Sequence, residues 1–367
     1  MSAHDTVPAA QVVPLGRDGL TVVEKPRRSK RALLLSSALR VTVKPALSVW
    51  AHAPGAPWPT GLLERAAALL PSPRHTTVEE VRLPRCDAEL IRADGAEDDE
   101  HAILYLHGGA FLVGGLNTHR GLAARLAATS GGAVLNVGYR MMPKHPVSHA
   151  VEDGLAGYTW LLDQGYAPER IVIAGDSAGG YLAFAVALAI LESGLESPAG
   201  LVAMSPVTDL DPERTLDQPG RPSCALFSQS TWRGFLRLVD MVENALVSDL
   251  LKPASSLVDA DLRGLPCTLI QVGSDELVLP DAQLMAIRLA DSDVEVELQL
   301  WEEQVHVFQV AVGLVPEARD ATREVGRFVR SACRQAEAAT TPGRPSARRS
   351  GGTAAGRAAA ERQPSGA

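Results

Sequence analysis

The chain has 367 residues, 46% of them hydrophobic and 21% charged, with a formal net charge of −8. This is ordinary globular composition, long enough for one large α/β domain or two small ones, and the acidic balance with only 4% aromatic residues argues against a nucleic-acid surface or a stacking platform. The cysteines Cys86, Cys224, Cys267 and Cys333 form no CxxC pair, and no His/Cys cluster has zinc spacing; they read as free thiols in a reducing compartment, with no metal site.

Residues 1–28 are polar and without clear period, and read as a flexible N-terminal arm. Residues 29–72 read as helices. Leu33, Leu34, Ser37, Ala38 and Val41 share one helical face, and Arg40 and Lys44 interrupt the apolar run. The reading is an amphipathic helix, not a signal peptide or a membrane span, and the expected compartment is the cytoplasm. Val78–Leu83 and Ala88–Ile91 read as a hairpin-like pair of strands. Ala102–Leu106 is a buried strand that runs into His107-Gly108-Gly109. A helix over Thr118–Thr129 stops at Gly131-Gly132, and Ala133–Val137 is the next strand. A helix over Ala150–Asp163 leads to the strand Ile171–Ala174, and an apolar helix follows over Ala178–Leu191. Ala199–Met204 is a further strand. The alternation lapses over about 207–262, which reads as a helical insertion over one end of the sheet. It resumes with strand Cys267–Val272, helix Asp281–Leu289, strand Val294–Leu300 and helix Pro316–Ala332. Strands alternating with helices predict a mostly parallel sheet covered on both faces, within residues 73–334. Residues 335–367 have almost no large apolar side chain and read as a disordered tail.

Gly175-Asp176-Ser177-Ala178-Gly179 sits between the apolar strand and the apolar helix. That is the setting of a nucleophile elbow, in which Ser177 occupies a tight strand-to-helix turn. Hydrolysis of an ester through Ser177 passes through an oxyanion that needs aimed N–H donors. The amides of Gly108, Gly109 and Ala178 are the candidates, with His107 holding their loop. The base should come late in the chain, and His306 is the only histidine after His149. The acid should follow the strand Cys267–Val272, where Asp275 and Glu276 both qualify on chemistry alone.

His107-Gly108-Gly109, Gly175–Gly180, Tyr139-Arg140 with Pro143 and His145-Pro146, and Ser205–Leu210 together resemble the hormone-sensitive-lipase family of α/β-hydrolases, the GDXG esterases, over roughly residues 75–330. The resemblance implies an α/β-hydrolase fold with a helical cap built from residues 29–72 and 207–262. It also implies carboxylesterase activity on a small-molecule ester of short or medium acyl chain, no cofactor, and a homodimer as one form of assembly. The family's acid precedes its histidine by about thirty residues, which favours Glu276 over Asp275. Asp176 anchors the elbow in that motif. Two departures stand out: Ala110 replaces a third glycine and crowds the rim, and Val307 replaces the glycine after the histidine. The same acyl chemistry on a larger metabolite (as a deacetylase, lactonase, thioesterase or acyltransferase) is the alternative reading. A non-catalytic binding protein on this scaffold is a further one.

Overall fold

The computed structural model describes residues 17–25, 28–56, 58–59, 61–69, 73–95, 100–216, 224–247 and 254–340. In chain order the elements are β1 (Leu20–Lys25), α1 (Lys30–Val41), α2 (Val43–Trp50), α3 (Gly61–Ala67), β2 (Thr76–Arg82), β3 (Asp87–Ala93), β4 (Ala102–Leu106), α4 (Leu116–Ser130), β5 (Ala133–Gly138) and α5 (Val147–Asp163). They continue with β6 (Ile171–Asp176), α6 (Ala178–Glu192), β7 (Gly200–Met204), α7 (Pro212–Leu216), α8 (Gln229–Leu246), β8 (Thr268–Gly273), α9 (Leu279–Ala290), β9 (Val296–Trp301) and α10 (Pro316–Thr340).

The strands make one sheet in the order β1-β9-β8-β7-β6-β4-β5-β3-β2. β3 runs antiparallel to both β2 and β5, and the remaining pairs are parallel. The central strands β4, β6, β7 and β8 are buried end to end, as their unbroken apolar runs require. Alternate residues divide between two cores. Leu104, Leu106, Ile173, Leu201 and Ile270 face α5, α6 and α9. Ile103, Tyr105, Val172, Val202 and Leu269 face α4 and α10. Helix α6 is apolar nearly all round because it is enclosed by the sheet and by α5.

Three sequence readings need correction. Part of the expected arm is strand β1, which pairs in parallel with β9 from Leu20↔Val296 to Lys25↔Trp301. The open edge of β9 supplies hydrogen-bond partners that local periodicity does not reveal. Helix α10 runs on to Thr340, into the expected tail; residues 1–16 and 341–367 lie outside the described residues. The third concerns α1. The face carrying Leu33, Leu34 and Val41 points outward, with exposures of 45%, 69% and 75%. The inward face is Ala32, Ser36, Leu35 and Leu39, seated on the core around Trp301, Val305 and Phe308. Moreover, Lys30–Trp50 is long and apolar enough for a membrane span by length and composition, contrary to the sequence reading. It is folded as two helices that meet at Thr42, and one side is seated on the core.

The N-terminal helices are fastened to the body by two carboxylates. Glu317, in the first turn of α10, accepts from the backbone N–H and the Oγ of Ser29, the N-cap of α1. Glu64 of α3 accepts from Asn117 N at 2.6 Å, Asn117 Nδ2 at 2.7 Å and Thr118 N at 3.1 Å. It thus fills the N-terminus of α4 with negative charge. Glu64→Ala should lower the unfolding free energy in urea by about 1–2 kcal/mol, and Glu64→Gln by less, because the amide oxygen still accepts. Equal stability of all three proteins would show that the contact is not formed in solution.

Candidate active site

Five parallel strands, β4, β6, β7, β8 and β9, deliver their C-terminal ends to one edge of the sheet, and each end contributes to one site. Ser177 follows β6 directly, at φ 51° and ψ −116°. This sharp turn is held by Ser177 N donating to Met204 O at 2.9 Å and Val207 N donating to Ser177 O at 3.1 Å. The flanking glycines are steric requirements. A Cβ on Gly175 would stand 2.0 Å from Gly179 O, and one on Gly179 would stand 1.9 Å from Leu106 O. The turn puts Ser177 at the N-terminus of α6, where the Ala178 amide is one of the helix's orphan donors.

Ser177 Oγ lies 2.8 Å from His306 Nε2, and His306 Nδ1 lies 2.7 Å from Glu276 Oε2. A carboxylate only accepts, so Nδ1 carries the proton and Nε2 is left to accept from the serine hydroxyl. It is Glu276, not Asp275, that meets His306. Asp275 is half-buried on the other side of the turn, where burial and then Glu303 raise its pKa.

Glu276 is fully buried, and its second oxygen is also satisfied. Oε1 accepts from Gly273 N at 2.5 Å and from Ser205 Oγ at 2.7 Å. Ser205 Oγ in turn accepts from Val307 N at 3.1 Å. Sequence reasoning missed this role of Ser205; its place at the end of β7, in the Ser205-Pro206 step, was the available signal. Val307 takes the left-handed conformation, φ 51° and ψ 43°, that a glycine would adopt freely. The histidine loop therefore keeps its path despite the valine, at a backbone cost of about 1–3 kcal/mol.

The oxyanion donors need one correction. Gly108 N donates to Asp176 Oδ1 at 3.0 Å, so it is committed to the elbow. Among the described residues, the amides of Gly109 and Ala110 have no such partner. Both residues line the cavity beside Ser177, and Ala110 has φ 55°. The available set is therefore Gly109, Ala110 and Ala178. Asp176 also accepts from the Tyr105 hydroxyl and lies 3.8 Å from His119 Nε2, which ties β4, the glycine loop and the elbow together.

His107 is wholly buried. Its Nδ1 meets Gly108 O at 2.8 Å, and its ring stacks on Tyr139 at 4.2 Å and on His119 at 5.2 Å. Tyr139 Oη donates to His107 O at 2.6 Å, which accounts for the tyrosine of the Tyr139-Arg140 motif. Among the described residues, no group of three His, Cys, Asp or Glu side chains is arranged to hold a metal ion.

Above Ser177 is a cavity of about 290 Å³ between α2, α8 and the glycine loop. Leu47, Trp50, Leu112, Phe227, Trp232 and Phe235 line it, and among the described residues its wall carries no charged side chain. Phe227 also makes an edge contact with the His306 ring at 4.8 Å.

Burial, and then His119, push the His107 pKa down to about 3. The unfolded chain protonates this residue near pH 6.5, but the folded chain does not until about pH 3. Folding stability from this group is therefore complete above pH 6.5 and falls by about 1.4 kcal/mol per pH unit as pH drops toward 3. His107→Gln should flatten the pH dependence of the urea unfolding free energy between pH 7 and pH 4.5. An unchanged slope would mean that His107 is not held neutral.

Residues 103–310 match the family described as the α/β-hydrolase fold. Over 304 residues the chain is 42% identical to Esterase LipU of Mycobacterium tuberculosis, covering 80% of this chain and 99% of that one. It is 37% identical over 308 residues to Carboxylesterase/phospholipase LipF of the same organism, covering 82% and 81%. Among solved structures, an esterase from the bacterial hormone-sensitive lipase family superposes with a TM-score of 0.69 at 29% identity, covering 84% of this chain and 100% of that one. The chain belongs to the α/β-hydrolase fold family and, within it, to the hormone-sensitive-lipase-type esterases.

Proposed function

We propose that the chain is a serine carboxylesterase that hydrolyses uncharged esters of short to medium acyl chain through an acyl-enzyme on Ser177. One observation carries the reading: the unbroken line Ser177–His306–Glu276, with contacts of 2.8 and 2.7 Å, beneath an apolar cavity. The names esterase and carboxylesterase among its relatives support the same chemistry.

Ser177 Oγ attacks the ester carbonyl carbon as His306 Nε2 takes its proton. Glu276 fixes the imidazole tautomer and stabilises the imidazolium without taking the proton itself. The amides of Gly109, Ala110 and Ala178 receive the oxyanion, aided by the positive end of α6. Collapse of the intermediate breaks the bond to the alkoxy oxygen. His306 returns its proton to that oxygen, and the alcohol leaves. A water then attacks the acyl carbon, gives a proton to His306, and the acid departs as Ser177 regains its hydrogen. Glu276, Ser205 and Val307 form the chain that keeps His306 in place during both halves. The free thiols fit a reducing, cytoplasmic setting for the enzyme.

A fluorophosphonate should label Ser177 and nothing in Ser177→Ala, which should lose about 10⁴-fold or more in kcat on nitrophenyl butyrate. Glu276→Ala should lose a comparable factor, and Asp275→Ala should stay near wild type. Retained activity in Ser177→Ala, or a larger loss in Asp275→Ala than in Glu276→Ala, would overturn these roles.

Acyl length tests the cavity separately. Each methylene moved from water to the apolar wall contributes about 0.8 kcal/mol, about fourfold in kcat/KM, until the space is filled. A series of nitrophenyl esters should climb from acetate at that rate and then level off. A flat or falling series from acetate onward would exclude acyl binding in this cavity.

A further inference from the structure

The outward face of the N-terminal helices is unusual for a protein surface. Leu34, Val41 and Val49 run along α1 and α2 at 69%, 75% and 62% exposure, and Leu62 and Leu69 add 63% and 87% beside α3. Several large apolar side chains exposed along neighbouring turns of α1 and α2 mark an interaction face. The same stretch is basic. Residues 29–69 contain Lys30, Arg31, Arg40, Lys44 and Arg65 against the single acid Glu64, in a chain whose overall net charge is −8. Glu64 is already committed to the N-terminus of α4. Lys44 donates to Cys224 O, a neutral partner that leaves its charge in place, and Arg40 also acts on Asp275. Lys30, Arg31 and Arg65 are exposed.

We propose that this face docks on an anionic lipid–water surface and that the enzyme draws its ester substrates from that surface. Apolar side chains flanked by cations suit the boundary between acyl chains and anionic headgroups. A second copy of the chain fits less well, because a symmetric contact through this face would bring its cations against one another. Helix α2 carries part of this face and part of the cavity wall. Trp58 belongs to both, lining the cavity while 37% exposed, and α2 turns Leu47 and Trp50 to the cavity and Val49 to the outside. A lipid-borne ester thus has an apolar path from the docked face to Ser177. The substrate part of this inference rests on the esterase reading; the docking part does not.

The test measures co-sedimentation of the full chain, as Ser177→Ala to prevent turnover, with phosphatidylglycerol/phosphatidylcholine vesicles and with pure phosphatidylcholine vesicles. Binding is expected to the mixed vesicles, weaker to the neutral ones, and to decline with salt. Leu34→Glu with Val41→Glu should cut binding by at least about tenfold, since each apolar side chain contributes about that factor when fully buried. Lys30→Gln and Arg31→Gln should each cut it by about fivefold. On the active enzyme, the Leu34→Glu/Val41→Glu pair should hydrolyse soluble nitrophenyl butyrate at the wild-type rate. It should be slower on a medium-chain triglyceride emulsified with phosphatidylglycerol. No binding to either vesicle, or equal binding by the Leu34→Glu/Val41→Glu pair, would overturn the proposal. So would a wild-type dimer that this pair makes monomeric, which would assign the face to a second copy. If wild type binds vesicles but hydrolyses no soluble ester, the esterase reading fails and the docking stands.

Discussion

The carboxylate of Glu276 is the fixed point of this structure. A carboxyl group with no exposed surface is tolerated only if donors replace its lost water. Here the donors come from Gly273 at the end of β8, Ser205 at the end of β7 and His306 beyond β9. Satisfying one buried group therefore gathers three strand ends and fixes the imidazole that reaches Ser177. The arrangement is held by backbone conformations that are costly when isolated. Ser177, Ser205 and Val307 have φ of 51°, 49° and 51°, and none is glycine. Such residues persist only where their surroundings over-determine them. The buried parallel strands behind them, hydrogen-bonded on both edges, supply that rigidity.

Much of this was legible in the sequence because the chemistry uses scarce residue types. A lone late histidine leaves little choice, so His306 could be placed without a structure. The elbow was legible because Gly175 and Gly179 stand where any side chain would overlap backbone atoms. The choice between Asp275 and Glu276 was not legible from chemistry alone, since adjacent carboxylates on a turn point in different directions and only the fold decides which one faces inward. The donor assignment shifted by one residue for a similar reason. Gly108 and Gly109 look equivalent in the chain, but Asp176 takes the Gly108 amide. That contact spans 68 residues, and no local pattern encodes it.

Two further misreadings share a cause. β1 is a strand because β9 offers an edge, and α1 turns Ala32, Leu35, Ser36 and Leu39 inward because that side meets the cluster of Trp301, Val305 and Phe308. In both cases the partner, not the local period, decides. Helix α1 is apolar on both sides, so a periodicity argument finds a face but cannot say which face is covered.

Chemistry and selection are carried by different materials. The reacting groups sit on strand ends inside a doubly covered sheet, where displacement would break several hydrogen bonds at once. The wall of the cavity above Ser177 comes largely from α2 and α8, which are joined by the close approach of Gly234 to Ala51 and by Arg237 Nη2 donating to Ala51 O at 2.9 Å. The two parts meet in one place of mechanical consequence. The inner side of α1 rests on Val305 and Phe308, the residues that flank the His306-Val307 step. Helix α1 and the histidine loop thus share one packed cluster, built from the side of α1 opposite to Leu34 and Val41.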